Sequence, residues 1–315
     1  MNFSSKNSKL KILFAATEEA PFAQVGGLGE VMFSLPRALA ELGHDARVML
    51  PCYGTIKLSD FNLKLIQEGL AVPTAPDNEG RRLACNVRRY DPSSDPKSPV
   101  TTYFLENQEY YEFRSNVYGY KDDAARFALL SRGILEFLND ASDWMPDLIV
   151  TADWMTGFIP NLLATDYLDY SGFKNLATIF SIHNLESQGP LRPHRFIPET
   201  ERDDGYGPLP DFFSPRMENI NAVRRGILHA DLINTVSPRY SQEITTEEFG
   251  EGLDGLLREK REILFGILNG LDYETNNPAT DPLLAKNFTV RNLEGRLENK
   301  LELQRRSGFP QDKNK

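Results

Sequence analysis

Residues 11–51, KILFAATEEAPFAQVGGLGEVMFSLPRALAELGHDARVMLP, decide the fold. Residues 10–16 form a short unbroken apolar run, the mark of a strand buried on both faces. Further on, Val31, Met32, Leu35, Leu39 and Leu42 recur at the spacing of one helical face. Gly43 stops that helix, and ARVMLP resumes as a second strand. Strand, loop, helix and strand make a βαβ unit, for which a parallel sheet is the default.

The loop inside this unit reads APFAQVGGLGEV, residues 20–31. It is neither the GxGxxG dinucleotide fingerprint nor a Walker loop. Gly26 and Gly27 would let backbone N–H groups approach a pyrophosphate at the following helix N-terminus. The plain alternative is a tight turn between strand and helix.

Outward from this unit the α/β pattern repeats. Residues 57–106 read as shorter strands, with turn chemistry at DNEGRR and DPSSDPKSP and a strand at PVTTYFL. DDAARFALLSRGILEFLND is a strongly amphipathic helix opened by acidic residues, which suit a helix N-terminus. PDLIVTADW, LATIFSIHN and ADLINTVSP each read as a strand with its C-terminal loop, and LFGILNGLD as a last strand. Residues 185–215 are rich in proline and glycine and too long for a plain connector, so they are a candidate functional loop. The expected class is α/β, a doubly wound, mostly parallel Rossmann-like sheet.

Composition narrows the function. The 315 residues are 40% hydrophobic and 25% charged, as in an ordinary globular protein. The 45 acidic residues outnumber the 35 basic ones, giving a net charge of −10, which argues against a nucleic-acid footprint or a polybasic membrane patch. A phosphorylated ligand stays open, because backbone N–H groups can hold it. Cys52 and Cys85 lack CxxC spacing and read as reduced, buried thiols. The histidines at 44, 183, 194 and 229 are scattered, so no zinc spacing exists and no metal is expected. Residues 1–9 are polar and read as a disordered tail rather than a signal peptide. No window approaches the roughly 20 apolar residues of a spanning helix, so a reducing, cytoplasmic setting is expected.

Four polar motifs fall beyond strand ends, where ligands of parallel sheets sit: residues 24–29, 153–156, 183–188 and 235–240. Asp153 could take a sugar hydroxyl or cap a helix, and the Trp154 indole could stack on a pyranose face. His183, beside Asn184, is either satisfied by backbone or a donor to a hydroxyl or phosphate. Asn269-Gly270 is a turn signal.

These residues together resemble bacterial glycogen synthases and plant starch synthases, over about residues 10–310 and in order. The motifs that carry the resemblance are the opening βαβ, YFLENQEYYEFRSNVYGYKDDAARFALL, DWMTGFIPNLL, SIHNLESQG, NTVSPRYSQEI, EGLDGLLR, GILNGLDYETNNPATD and NKLELQRRSGFP. The resemblance implies the N-terminal half of a two-Rossmann-domain, GT-B type glycosyltransferase. Residues 10–270 would be the acceptor-side domain, and 271–315 the crossing and the start of an absent second domain. It implies an ADP-glucose donor (sometimes UDP-glucose), an α-1,4-glucan acceptor, no cofactor and retained anomeric configuration. The donor diphosphate would lie on Gly26, Gly27 and Leu28, with Gln24 beside them. The sugar and acceptor cleft would be lined by Glu30, where the family usually has aspartate, and by Asp123, Asp153, Trp154, His183 and Asn184. Tyr240 and Glu243 match a motif with a structural role.

Three departures stand out. The family loop begins with a lysine where this chain has Gln24, which brings no charge. The family's His-x-His-Asp-Trp is here Val150-Thr151-Ala152-Asp153-Trp154. The chain also stops before the second domain, which in this family brings most nucleotide contacts. The resemblance therefore implies a glycogen or starch synthase half that is inactive alone and needs a second Rossmann domain in cis or in trans. The alternative is a non-catalytic glucan-binding or regulatory protein descended from such an enzyme. A nicotinamide dehydrogenase is disfavoured, because GxGxxG is absent and ARVMLP ends without an acidic residue for a ribose.

Overall fold

The opening βαβ unit forms as its pattern requires. In a computed structural model the described residues are 9–76, 81–93, 100–140, 144–189, 197–273 and 276–315. Strand β1 (Lys11–Ala15) leads into helix α1 (Gly27–Glu41) and strand β2 (Asp45–Pro51). There follow β3 (Lys64–Pro73), β4 (Arg82–Tyr90), β5 (Thr101–Glu106), α2 (Asp123–Asp140), β6 (Leu148–Ala152), α3 (Asp153–Thr156) and α4 (Phe158–Ala164). The unit ends with β7 (Ala177–Ile182), α5 (Ala222–His229), β8 (Leu232–Thr235), α6 (Tyr240–Glu243), α7 (Asp254–Glu259) and β9 (Leu264–Gly266).

The sheet order is β3-β4-β5-β2-β1-β6-β7-β8-β9. From β5 to β9 every pairing is parallel, and β4 and β3 extend the β5 side as antiparallel strands. The chain winds outward from β1 through β2 to the β5 side, then returns to place β6 on the other side of β1. The order therefore reverses between β1 and β6. Alternate residues of β1 and its end enter two separate cores: Leu13 and Ala15 on one face, Ile12, Phe14 and Ala16 on the other. The apolar run at 10–16 is the sequence trace of that double burial.

Several expectations change. Helix α1 begins at Gly27, and its buried line is Gly29, Met32 and Pro36. Leu35 and Leu42, assigned to the inner face, are 42% and 75% exposed. Helix α2 is not one-sided: it is buried on almost every face, Arg126 and Arg132 included. Those cations are held by bonds rather than water. Arg126 donates to the Tyr110 and Val117 carbonyls and to Asp123, and Arg132 pairs with Asp166. The last strand is only three residues long.

Within the long proline- and glycine-rich segment, residues 190–196 lie outside the described residues, and 197–215 run along the surface on a few buried anchors. Ile197, Leu209 and Phe212 are buried. Asp203 makes two 2.8 Å bonds to the Arg225 guanidinium of α5 and also accepts the Asn221 N–H. Residues 1–8 of the expected tail 1–9 and parts of both expected turns, 77–80 and 94–99, also lie outside the described residues.

The chain divides into two compact units, Met1–Asn269 and Gly270–Lys315. The second carries helix α8 (Gly295–Arg306), fixed by two hydrogen bonds between Lys286 backbone and the Asn299 amide.

Replacing Asp203 with alanine leaves the Arg225 charge buried without its carboxylate. The expected loss is about 3–5 kcal/mol of stability in urea unfolding, and a loss below about 1 kcal/mol would contradict this role.

Candidate functional site

In an open parallel sheet the crevice lies at the carboxyl ends of the strands, where the order reverses. Here that is between β1 and β6. Beyond β1 the chain folds into a bridge, with Glu19 and Ala23 exchanging backbone hydrogen bonds of 2.9 Å. The Ala20 N–H reaches the Gly29 carbonyl at 3.1 Å, which ties the loop to the first turn of α1.

The Glu18 carboxylate is the centre of this loop. Its Oε2 accepts the N–H groups of Val25 at 2.6 Å and Gly26 at 2.9 Å, and its Oε1 accepts the Tyr118 hydroxyl at 2.7 Å. Glu18 is only 3% exposed. Gly26 is the N-cap of α1, and no side chain caps that helix. Among the described residues, a Cβ at Gly26 or Gly27 would meet nothing within 4 Å, and neither residue has a positive φ. Neither packing nor backbone geometry in this chain requires the pair.

Beyond β6, Asp153 adopts φ 52°, the left-handed region that is costly for a residue with a side chain. Its Oδ1 accepts the N–H groups of His183 at 2.7 Å and Asn184 at 3.0 Å. The carboxylate thus ties the β6 end to the loop after β7. The His183 Nε2 lies 3.1 Å from the Ser181 hydroxyl. Burial raises the Asp153 carboxyl and lowers the His183 imidazole, and their mutual attraction opposes both shifts. Both groups are pushed toward neutrality.

A cavity of about 590 Å³ opens between these loops. Its wall takes Gly26, Gly27 and Leu28 from the first loop, Asp153 and Trp154 from the second, His183 and Asn184 from the third, and Val236 from the loop after β8. All four sequence motifs therefore meet at one place. Glu18, Tyr118, Ser187 and Asn269 complete the polar wall, and among the described lining residues there is no lysine or arginine.

Other expected site residues fall elsewhere or act differently. Gln24 and Glu30 are exposed and off the cavity wall, 3.5 Å from one another, at the limit of a hydrogen bond. Asp123 is buried, accepts the N–H groups of Gly119 and Tyr120, and pairs with Arg126 at 2.5 Å; it holds a turn and is absent from the wall. Trp154 touches the cavity, but it is 7% exposed and its ring meets Phe127 edge-on at 5.2 Å. The ring is core packing, not an exposed sugar platform. The Gly26 N–H, expected to face a phosphate, is directed to Glu18.

Three comparisons bear on this arrangement. A family description, "Starch synthase catalytic domain", matches residues 11–259. The chain belongs to that family.

Among its members, the glycogen synthase of Clostridium perfringens is 40% identical over 303 residues, covering 96% of this chain and 60% of that protein. The glycogen synthase of Geobacillus thermodenitrificans is 41% identical over 308 residues, again with 96% and 60% covered. The catalytic domain of starch synthase IV from Arabidopsis thaliana, solved bound to ADP and acarbose, superposes with a TM-score of 0.75 at 31% identity. It is matched over 96% of this chain and 60% of that one. The chain thus spans about 60% of the length of the curated relatives it matches. Membership accounts for the doubly wound, mostly parallel sheet and for the order of the motifs.

Sequence reasoning missed Glu18 and Tyr118. Glu18 is the first of two adjacent glutamates directly after a strand, and its partner lies 100 residues away, so only the glutamate left a local trace. Ala152, where the family has histidine, is 1% exposed and packs in the core cluster of Phe14 and Val150. Cys52 and Cys85 are buried free thiols, as read from the sequence, with burial pushing both up to about 12. Among the described residues no helix is long and apolar enough to cross a membrane.

One pH effect follows from a histidine behind the site. His229 Nε2 lies 2.9 Å from the Gly205 carbonyl and so carries the proton. Burial, with Arg225 and Lys260 adding to it, holds the imidazole below its ordinary 6.5. The neutral folded form stabilises the fold above the unfolded value of about 6.5, and this support is lost as pH falls from there through the lower folded value. The thermal midpoint is expected to drop between about pH 7.5 and 5.5, and His229→Gln should flatten part of that slope. An unchanged slope would exclude His229 as its source.

Proposed function

We propose that this chain is the acceptor-side half of a glycogen or starch synthase. In this reading it transfers glucose, with retention, from ADP-glucose to the non-reducing end of an α-1,4-glucan. It does so only with a second Rossmann domain, in cis or in trans. One observation carries the reading. The glycine pair opens α1 at the switch-point cavity, with space for a ligand to approach and no other reason to be glycine.

The relatives are glycogen synthases, and the similar starch synthase structure was bound to ADP and to acarbose. We carry both ligand classes to this cavity. The bond between the anomeric carbon and the diphosphate oxygen breaks, and a bond to the acceptor O4 forms. The acceptor proton leaves with the diphosphate. The N–H groups of Gly27 and Leu28, at the positive end of α1, would stabilise the charge that develops on the departing diphosphate. Among the described lining residues there is no lysine or arginine, so the compensating cations would come from the second domain, which also encloses the donor. ADP-glucose is the substrate here, and no cofactor or metal is required. The non-catalytic alternative rests on Gln24 and Ala152 alone. Gln24 lies off the cavity wall and Ala152 is buried, so neither blocks the site.

The test is transfer of label from radiolabelled ADP-glucose to glucan. The chain alone is expected to be inactive, and the chain joined to the remaining part of the Clostridium perfringens relative is expected to be active. Efficient turnover by the chain alone would overturn the half-site reading. In the joined protein, Gly27→Ala should leave stability within about 1 kcal/mol while lowering transfer by about 100-fold. Equal loss of both would place the glycine in packing instead.

A further inference from the structure

We propose that Glu18 is a positioning residue that divides the backbone amides of the glycine loop into two sets. One set is held inside the protein, and the other is left to the ligand. This rests on reading the cavity as a donor diphosphate site.

Four consecutive N–H groups, those of residues 25–28, lie where β1 hands over to α1. A turn of this kind offers all of them to an anion at once. Glu18 removes the first two. Its Oε2 takes Val25 at 2.6 Å and Gly26 at 2.9 Å, distances typical of charge-assisted bonds. The carboxylate is itself fixed from the far side by the Tyr118 hydroxyl at 2.7 Å, which also lies 2.7 Å from the Thr17 hydroxyl. With one hydroxyl on one side and two amides on the other, the carboxylate has little freedom to swing. An anion arriving at the helix end therefore meets Gly27 and Leu28, whose N–H groups open α1.

The arrangement also answers an electrostatic objection. A carboxylate on the wall of an anion site repels the ligand. Three donors on Glu18 direct its lone pairs away and satisfy them locally. Its cost to the ligand is thereby smaller than that of an unengaged carboxylate. What it gains is register: the phosphate is placed one helical step into α1 rather than spread along the loop. A one-step shift of the leaving group moves the anomeric carbon relative to His183 and Asn184, the opposite wall.

The test uses the whole 315-residue chain, labelled with nitrogen-15, and inorganic pyrophosphate as the probe. In the wild-type chain pyrophosphate is expected to move the Gly27 and Leu28 amide signals and to spare Val25 and Gly26. In Glu18→Ala, which removes the acceptor from both N–H groups, the shifts should spread to all four. Tyr118→Phe, which keeps both amide bonds, should retain the wild-type selectivity. A purely structural role for Glu18 would change folding without redistributing the shifts. If pyrophosphate moves all four amides in the wild-type chain, the division is wrong. Hydrogen exchange gives a ligand-free second measurement, which also serves if Glu18→Ala does not fold. Val25 and Gly26 should exchange at least tenfold more slowly than Gly27 and Leu28, and equal rates overturn the proposal. Slow exchange at 25 and 26 with no pyrophosphate shift anywhere would leave the carboxylate clasp intact. That outcome would refute the ligand side of the proposal, and the donor-site reading is tested separately by transfer in the joined protein.

Discussion

Everything in the first unit depends on β1 being buried on both faces with parallel neighbours on both sides. A parallel strand cannot be joined to its neighbour by a short turn, so the chain must cross over and return. The crossovers send the strand ends, and the loops that follow them, to one side. Because the winding reverses between β1 and β6, the two loops there diverge and leave a gap. The cavity is therefore a consequence of topology before any side chain is chosen.

The side chains then make the gap specific. Two buried carboxylates act as ties between loops: Glu18 folds the glycine loop onto itself, and Asp153 joins the end of β6 to the loop after β7. Each uses an oxygen to accept two consecutive backbone N–H groups, an arrangement that leaves few backbone donors unpaired at a loop-rich sheet edge. The left-handed φ of Asp153 is the conformational cost of reaching His183 and Asn184. Asp203 and Arg225 tie the long connecting segment to α5.

The charge distribution fits the proposed half-site. The wall has carboxylates, amide donors and a helix N-terminus, but among the described lining residues no lysine or arginine. A diphosphate has formal charge that one helix end offsets only in part. The chain spans about 60% of its relatives' length, and the proposed division of labour assigns the missing cations to the remainder.

By itself the sequence determined the βαβ start, the mostly parallel sheet, the four motifs at the strand ends and the buried thiols. These depend on short-range periodicity and turn chemistry, which residues within one element carry. Only the tertiary structure decided which polar groups face the cavity. Asp123, Trp154, Gln24 and Glu30 have the right chemistry at the right places in the chain. Yet Asp123 is drawn into an ion pair with Arg126, Trp154 into packing against Phe127, and Gln24 and Glu30 lie outside the wall. Glu18 becomes central because Tyr118, 100 residues away, reaches it. A side chain's orientation is set by competition among all partners within a few ångströms, and most of those partners are remote in sequence.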